Sequence, residues 1–232
     1  MIRHHQFVLA SAALSLAVVL GLAGSQPASA QVAAPAPAYA PADPGTLETA
    51  ILSGGCFWGM QGVYEHVKGV RHVYAGYTGG SAATAQYEIV STGTTGHAES
   101  VQIVFDPRVL SYAKVLQIFV SVAADPTELN EQGPDSGTQY RSEIWYTTPQ
   151  QRAVAAAYLA QLSAAHVWAQ PIVVRLDPAR PFYQAETYHQ DFLVRHPDSP
   201  YIVINDLPKV TALQTKFPDV YRPVPVTVLP VS

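Results

Sequence analysis

The chain has 232 residues, 48% of them apolar and 13% charged, with a formal net charge of −4. That length holds one full-sized domain or at most two small ones, and the apolar fraction together with 13 tyrosines excludes a fully disordered chain. The charge balance excludes a basic footprint for nucleic acid or anionic membrane, and a single cysteine, Cys56, excludes a disulfide scaffold.

Residues 1–30 read as a secretory signal peptide. Arg3, His4 and His5 make a short polar start, Phe7 to Leu22 is an apolar run, and Ala28-Ser29-Ala30 is an Ala-x-Ala cleavage signal before Gln31. A membrane anchor is the alternative, but the run of sixteen residues falls short of the ~20 needed to span. Residues 31–45 are rich in Ala and Pro and are expected to form a polyproline-like tether. The folded domain is expected over 46–221, with an irregular Pro/Val-rich tail at 222–232.

Leu47 to Ser53 reads as a strand running into Gly54-Gly55-Cys56. A helix follows, with Met60, Val63, Tyr64 and Val67 at helical spacing and Gly69 as its stop. Val70 to Tyr77 is the next strand, and Ala98 to Asp106 alternates cleanly as another. Ser111 caps a helix whose stripe is Tyr112, Val115, Leu116 and Phe119. Asp125 to Gln139 is a long polar loop of the kind that carries function. Ser142 to Thr147 is a strand, and Thr148-Pro149-Gln150-Gln151 starts a helix with Pro at its first position and Gln at the capping-box position. Pro171 to Leu176 reads as a strand, with a helix through His189 after it. Strands alternating with helices predict a single α/β domain, an α+β two-layer arrangement with a mixed sheet.

Cys56 stands where a strand ends and a helix begins. Backbone N–H groups at a helix start favour negative charge, so a thiolate there is expected to have a lowered pKa. Packing as an inert core cysteine is the other reading, and position alone leaves both open. Glu99 shares a strand face with Val101, Ile103 and Phe105. A carboxyl buried there titrates high and can donate a proton near neutral pH, whereas at a solvated strand end it would do neither.

Five ordered blocks then carry a resemblance. Gly55-Cys56-Phe57-Trp58-Gly59, Gly76-Tyr77-Thr78-Gly79-Gly80, Thr95-Gly96-His97-Ala98-Glu99, Gly137-Thr138-Gln139-Tyr140-Arg141-Ser142, and Phe182-Tyr183-Gln184-Ala185-Glu186 with Tyr188-His189-Gln190 are similar to those of the A-type peptide methionine sulfoxide reductases, the MsrA family. The resemblance spans about Ile51 to Tyr221 and implies a ferredoxin-like core. It implies that Cys56 attacks the sulfoxide sulfur, that Phe57 and Trp58 receive the S-methyl group, and that Glu99 is the acid. Tyr87 and Tyr140 map to the tyrosines that hydrogen-bond the sulfoxide oxygen, and Asp135 to a supporting aspartate. It further implies selectivity for the S epimer, free or in a protein, with no metal or organic cofactor.

The residue types suit that chemistry. A sulfoxide oxygen leaves poorly until protonated, tyrosine hydroxyls are fixed donors to a polarised S–O group, and sulfur is attacked by sulfur more readily than by an alkoxide. The products would be methionine and a sulfenic acid on Cys56.

The sequence also departs from family usage. A resolving cysteine, common near Ser91 or in the tail, is missing, so an external thiol or thioredoxin-like donor is expected to reduce the sulfenic acid. Val120 stands where an aromatic residue is common, Ala124 where a His is common, and Gln61 where a glutamate is common. A monomer, exported to a periplasm or secreted, is the expected state.

Two other functions are compatible with the residues alone. A cysteine hydrolase or acyltransferase would use His97 or His189 as base, and a binding module would carry an inert cysteine. Metal ligation is disfavoured because the histidines are scattered singly, and His97 and His189 suit a hydrogen-bonding scaffold.

Overall fold

The computed structural model describes residues 32–42 and 45–230; the expected signal peptide lies outside the described residues. Strand β1 (Glu48–Ser53) leads through two glycines into helix α1 (Phe57–Glu65). Strand β2 (Val70–Thr78), the short helix α2 (Tyr87–Val90) and strand β3 (Ala98–Phe105) follow. Helix α3 (Tyr112–Ile118) starts at Ser111, whose Oγ accepts from Lys114 N at 3.2 Å, and runs into a π-helical turn at Phe119–Ala123. A small hairpin of β4 (Glu131–Gln132) and β5 (Asp135–Ser136) precedes strand β6 (Glu143–Tyr146). The remainder is helix α4 (Pro149–Ala164), strands β7 (Arg175–Pro178) and β8 (Phe182–Gln184), and helices α5 (Phe192–Arg195) and α6 (Leu207–Lys216).

The main sheet has the order β7-β6-β1-β3-β2-β8. Its inner four strands are antiparallel and, with α1 and α3, make the β-α-β-β-α-β ferredoxin-like arrangement. Strand β7 joins β6 in parallel, a pairing that needs a crossover, and α4 supplies it; the sheet is therefore mixed. The alternation read in β3 is realised: Glu99, Val101, Ile103 and Phe105 are all buried on one face. Helix α1 packs on β2 and β3, and Tyr64 OH donates to Val115 O of α3 at 2.9 Å. Gln61, wholly buried, is accommodated because its amide donates to Val73 O at 2.8 Å and accepts from Asp191 N at 2.9 Å.

Four local expectations are corrected. Helix α1 ends at Glu65, and Gly69 serves instead in the turn into β2, with φ +92°. The strand expected over Pro171–Leu176 begins only at Arg175, because Val173 N bonds Pro126 O at 2.8 Å and Ile172 and Val174 pack on the core outside the ladder. The helix expected through His189 is a 3₁₀ turn at Thr187–His189, since the left-handed Asp191 (φ +54°) separates it from α5. The Ala/Pro-rich segment expected as a tether is docked along residues 32–38: Ala34 is buried, Ala34 N donates to Ser121 Oγ at 3.0 Å, and Gln117 Nε2 donates to Ala34 O at 2.9 Å. Tyr158 OH donates to Pro35 O, and the Gln161 amide bonds both Ala36 O and Ala38 N.

Beyond Tyr221 no regular element follows among the described residues, yet the chain is tied down. Val226 N bonds Glu65 O, and the Asp191 carboxylate accepts from Val228 N and Leu229 N. No helix of the described residues is long and apolar enough to cross a membrane.

At the start of α4, Thr148 Oγ1 accepts from Gln151 N at 3.1 Å, while Gln151 reaches back to Thr147 N and across to Thr49 O of β1. Replacing this cap, Thr148→Ala, should cost about 1 kcal/mol of stability, read as a lower urea midpoint at unchanged slope. An unchanged midpoint would mean that the cap contributes nothing.

Candidate active site

The turn behind Cys56 is built so that only glycine fits. Gly55 has φ +86°, and a Cβ there would lie 2.5 Å from Gln132 Cβ. A Cβ on Gly54 would meet Ala124 Cβ at 2.7 Å and the Phe119 ring at 2.8 Å. This close approach sets Cys56 as the residue preceding α1, 8% exposed, with Phe57 and Trp58 in the first turn.

The first N–H groups of a helix lack internal partners. Here Phe57 N donates to Glu99 Oε2 at 2.9 Å, so the carboxyl at the start of β3 is tied directly to the helix that carries the cysteine. Trp58 N–H points to the Cys56 sulfur. Glu99 titrates at about 8: burial raises it, the Phe57 N–H lowers it, and the charges of Asp135 and Asp206 raise it further. The buried-face reading of Glu99 therefore holds.

The expected lowering of the Cys56 pKa is reversed. Burial pushes the thiol well up, and the charges of Glu99, Asp206 and Asp135 add to it; against these stands only the Trp58 N–H. The helix end is outweighed because one of its donors is spent on Glu99, and three carboxyls surround the sulfur.

Tyr87, on α2, and Tyr140, in the 3₁₀ turn Thr138–Tyr140, both titrate high through burial and then Glu99, and both feel Cys56. Their supports are explicit. Tyr87 N donates to Glu186 Oε1 at 2.9 Å, and Tyr77 OH donates to Glu186 Oε2 at 2.8 Å. Thr138 Oγ1 donates to Gly93 O and Gln139 Nε2 to Ser91 O, which joins the turn holding Tyr140 to the end of α2. The buried Arg141 guanidinium bonds Thr138 O, Gly96 O and His97 O and pairs with Glu143, fixing this turn to the approach of β3.

Phe57 is buried against Tyr77 and His189, with ring centroids 5.8 and 5.0 Å apart. Trp58 is half-buried, stacked on Phe192 at 3.8 Å, with the Tyr201 ring edge-on at 5.8 Å. Its indole N–H donates to His189 Nδ1 at 3.0 Å. Burial lowers the His189 pKa, so the ring is neutral and a positioner of Trp58. His97 accepts from Gly80 N through Nδ1 and meets Ser81 O through Nε2 at 2.9 Å. The hydrogen bonds of both histidines among the described residues run to Trp58, Gly80 and Ser81 and not to Cys56.

Asp135, in the β4–β5 hairpin, accepts a hydrogen bond from Tyr201 OH. Sequence reasoning missed Tyr201 and Asp206. Asp206 is wholly buried, its Oδ1 2.1 Å from where a Cβ on Gly59 would stand and 3.4 Å from Lys209 Nζ. Asp206-Leu207-Pro208, an acid followed by Pro at a helix start, is a signal that would have placed a carboxyl at the beginning of α6. Tyr201 had no comparable signal. Among the described residues no group of three or more His, Cys, Asp or Glu is arranged to hold a metal ion.

Comparison with known proteins agrees with this geometry. The family model for peptide methionine sulfoxide reductase matches residues 48–220. The relative named peptide methionine sulfoxide reductase MsrA 2 from Mesorhizobium japonicum is 54% identical over 191 residues, 82% of this chain and 97% of the relative. A protein of the same name from Synechocystis is 48% identical over 172 residues, covering 74% of this chain and 80% of the relative. Among solved structures, methionine sulfoxide reductase A of Corynebacterium diphtheriae superposes with a TM-score of 0.55 at 33% identity, over 67% of this chain and 77% of that one. Reduced Mxr1 of Saccharomyces cerevisiae gives 0.62 at 27% identity, over 72% and 96%. The chain belongs to the peptide methionine sulfoxide reductase family.

Proposed function

We propose that this chain reduces the S epimer of methionine sulfoxide, free or within proteins, through a sulfenic acid on Cys56 that external thiols then reduce. The observation that carries the reading is the hydrogen bond that ties the buried acid Glu99 to Phe57 N, the residue after Cys56, with Tyr87 and Tyr140 in electrostatic reach of both groups.

At neutral pH the resting site holds Glu99 as the acid and Cys56 as the thiol. Tyr87 and Tyr140 donate to the sulfoxide oxygen, Trp58 and Phe57 receive the methyl group, and Asp135 holds Tyr201 edge-on against Trp58. The Cys56 sulfur attacks the sulfoxide sulfur as Glu99 passes its proton to the oxygen, and the thiol proton replaces it on Glu99. The OH then passes from the substrate sulfur to the Cys56 sulfur as the S–O bond and the newly formed S–S bond both break, leaving methionine and Cys56 sulfenic acid. Two molecules of external thiol, or one thioredoxin-like dithiol, return Cys56 to the thiol and release a disulfide and water. The raised thiol does not mark Cys56 as inert, because the acid that protonates the substrate is itself among the groups that raise it.

With a racemic methionine sulfoxide peptide and excess dithiothreitol, turnover should stop at half the substrate and vanish in Cys56→Ser. Consumption of both epimers, or activity in the mutant, would sink the reading. The active form carries both protons, so the rate should be flat below about 8 and fall as pH rises through the Glu99 value. Glu99→Gln should lower kcat by roughly 10²–10⁴-fold and abolish that fall.

One cysteine in the chain leaves the sulfenic acid without an internal partner. A dimedone-type probe should therefore label Cys56 after one turnover without thiol, and labelling should be lost only when thiol is added. Rapid disappearance without thiol would contradict the one-cysteine cycle.

We also propose export, supported by the apolar run at Phe7–Leu22 and the Ala28-Ser29-Ala30 signal. Protein recovered outside the cytoplasm should begin at Gln31; recovery only inside, with Met1 retained, would overturn it. The catalytic domain is proposed as residues 46–221, with the strap at 32–38 and the tail segment past Tyr221 docked on it, and a monomer is its proposed state.

A further inference from the structure

The run His189–Phe192 grips Trp58 at both of its ends. His189 Nδ1 accepts from the Trp58 indole N–H at 3.0 Å, and the Phe192 ring stacks on the indole at 3.8 Å with 9° between the planes. The two residues between them are buried and anchored elsewhere. The Gln190 amide accepts from Ala75 N at 3.0 Å and donates to Ala75 O and Ala185 O, which ties the run to β2. Asp191 N donates to Gln61 Oε1 of α1 at 2.9 Å, while the Asp191 carboxylate accepts from Val228 N at 3.1 Å and Leu229 N at 2.7 Å.

Asp191 is the residue of the run that most needs holding. Its φ of +54° is a left-handed backbone that a residue with a side chain keeps only where its surroundings impose it, and it sets the direction in which α5 departs. Its carboxylate is 1% exposed, beside the wholly buried Glu65 carboxyl and with Gln61 Nε2 at 3.4 Å. A carboxylate so placed requires good donors, and the two closest are the amides of Val228 and Leu229. These belong to the segment past Tyr221, beyond the 48–220 family match. Arg222 N to His66 O at 2.8 Å and Val226 N to Glu65 O at 2.9 Å lay that segment along the end of α1. The segment is thereby linked through Asp191 to Trp58.

We propose that Asp191, clamped by the segment past Tyr221, is a positioning residue for the Trp58 wall of the methyl pocket, and that this segment thereby sets the affinity for methionine sulfoxide. The proposal rests on the reading of Cys56 as a methionine sulfoxide reductase nucleophile and of Trp58 as the receiver of the methyl group. Free and protein-bound substrates share that methyl, so both feel the clamp equally. An apolar wall binds the methyl before and during the reaction alike, so displacing it weakens binding and leaves the chemical step in place.

The test uses single-turnover reduction without thiol, in which the half-saturating substrate concentration and the limiting rate do not depend on the reductant. Three variants release the clamp: a chain ending at Arg222, Leu229→Pro, which deletes the shorter N–H bond, and Asp191→Asn, whose amide can accept at only one of its two terminal atoms. Each should raise the half-saturating concentration of free and peptide methionine sulfoxide by the same factor, with the limiting rate unchanged. For the shortened chain the rise should be about tenfold, the low end of what a methyl-sized misfit costs in an apolar pocket. Should that chain fail to fold, Leu229→Pro, which keeps Val226 packed on the core, carries the test. In a Trp58→Leu background, itself weaker in binding, releasing the clamp should add nothing, because the group it positions is gone. An unchanged half-saturating concentration, a fall in limiting rate alone, or a loss that persists in full beside Trp58→Leu would overturn the proposal. Absence of any reduction by the full chain would instead overturn the reading of Cys56, and the proposal with it.

Discussion

The hydrogen bond from Phe57 N to Glu99 Oε2 is the constraint on which the site depends. It joins the first turn of α1 to the first turn of side chains on β3, and so places acid and nucleophile by one contact between two rigid elements. Its geometry is set far from the cysteine. Side chains alternate along a strand, so a slip of one residue in β3 would turn Glu99 to the opposite face. Val101, Ile103 and Phe105, none of them accessible, forbid that slip, since it would bring the whole apolar set out with it. From the other side, Gly54 and Gly55 let the strand-to-helix turn close onto Phe119, Ala124 and Gln132, where any side chain would push Cys56 away from Glu99.

The electrostatics of the site follow from the same compactness. A helix start offers a favourable field to a thiolate, but here burial of the sulfur and the neighbouring carboxyls push the thiol the other way. The outcome is a resting site in which both the thiol and the Glu99 carboxyl keep their protons at neutral pH. In this arrangement Asp206 and Asp135 act on the thiol and on Glu99 in the same direction, holding both protons in place until the substrate oxygen accepts one.

The parts of the fold legible in the sequence are those with a strong period or a stereochemical marker. Strand β3 announced its buried face through alternation, α3 its start through Ser111, and α4 through Thr148 and Pro149. The second half resisted because its elements are short and their partners distant. β8 has three residues and exists only by pairing with β2, and the break at Asp191 is held by Gln61 and by the tail amides, none of them near in sequence. The Ala/Pro composition of residues 31–45 argued against a packed helix or strand but could not show that Ser121, Gln117, Tyr158 and Gln161 are spaced to bond residues 34–36. Of the site, the residues on β3, α1 and the Gly-Thr-Gln-Tyr turn were legible, and Tyr201 was not, because nothing local distinguishes it from an exposed loop tyrosine.

The π-helical turn at Phe119–Ala123 ties these levels together. Phe119 packs under Gly54, Ser121 takes the Ala34 N–H, and Ala124, just past the turn, presses on Gly54. One short irregular segment therefore supports the nucleophile's turn and the strap at once. That sharing limits how the segment can vary. Bulk at Ala124 would press directly on the backbone behind Cys56, so a larger residue there has to be matched by movement of the glycine turn.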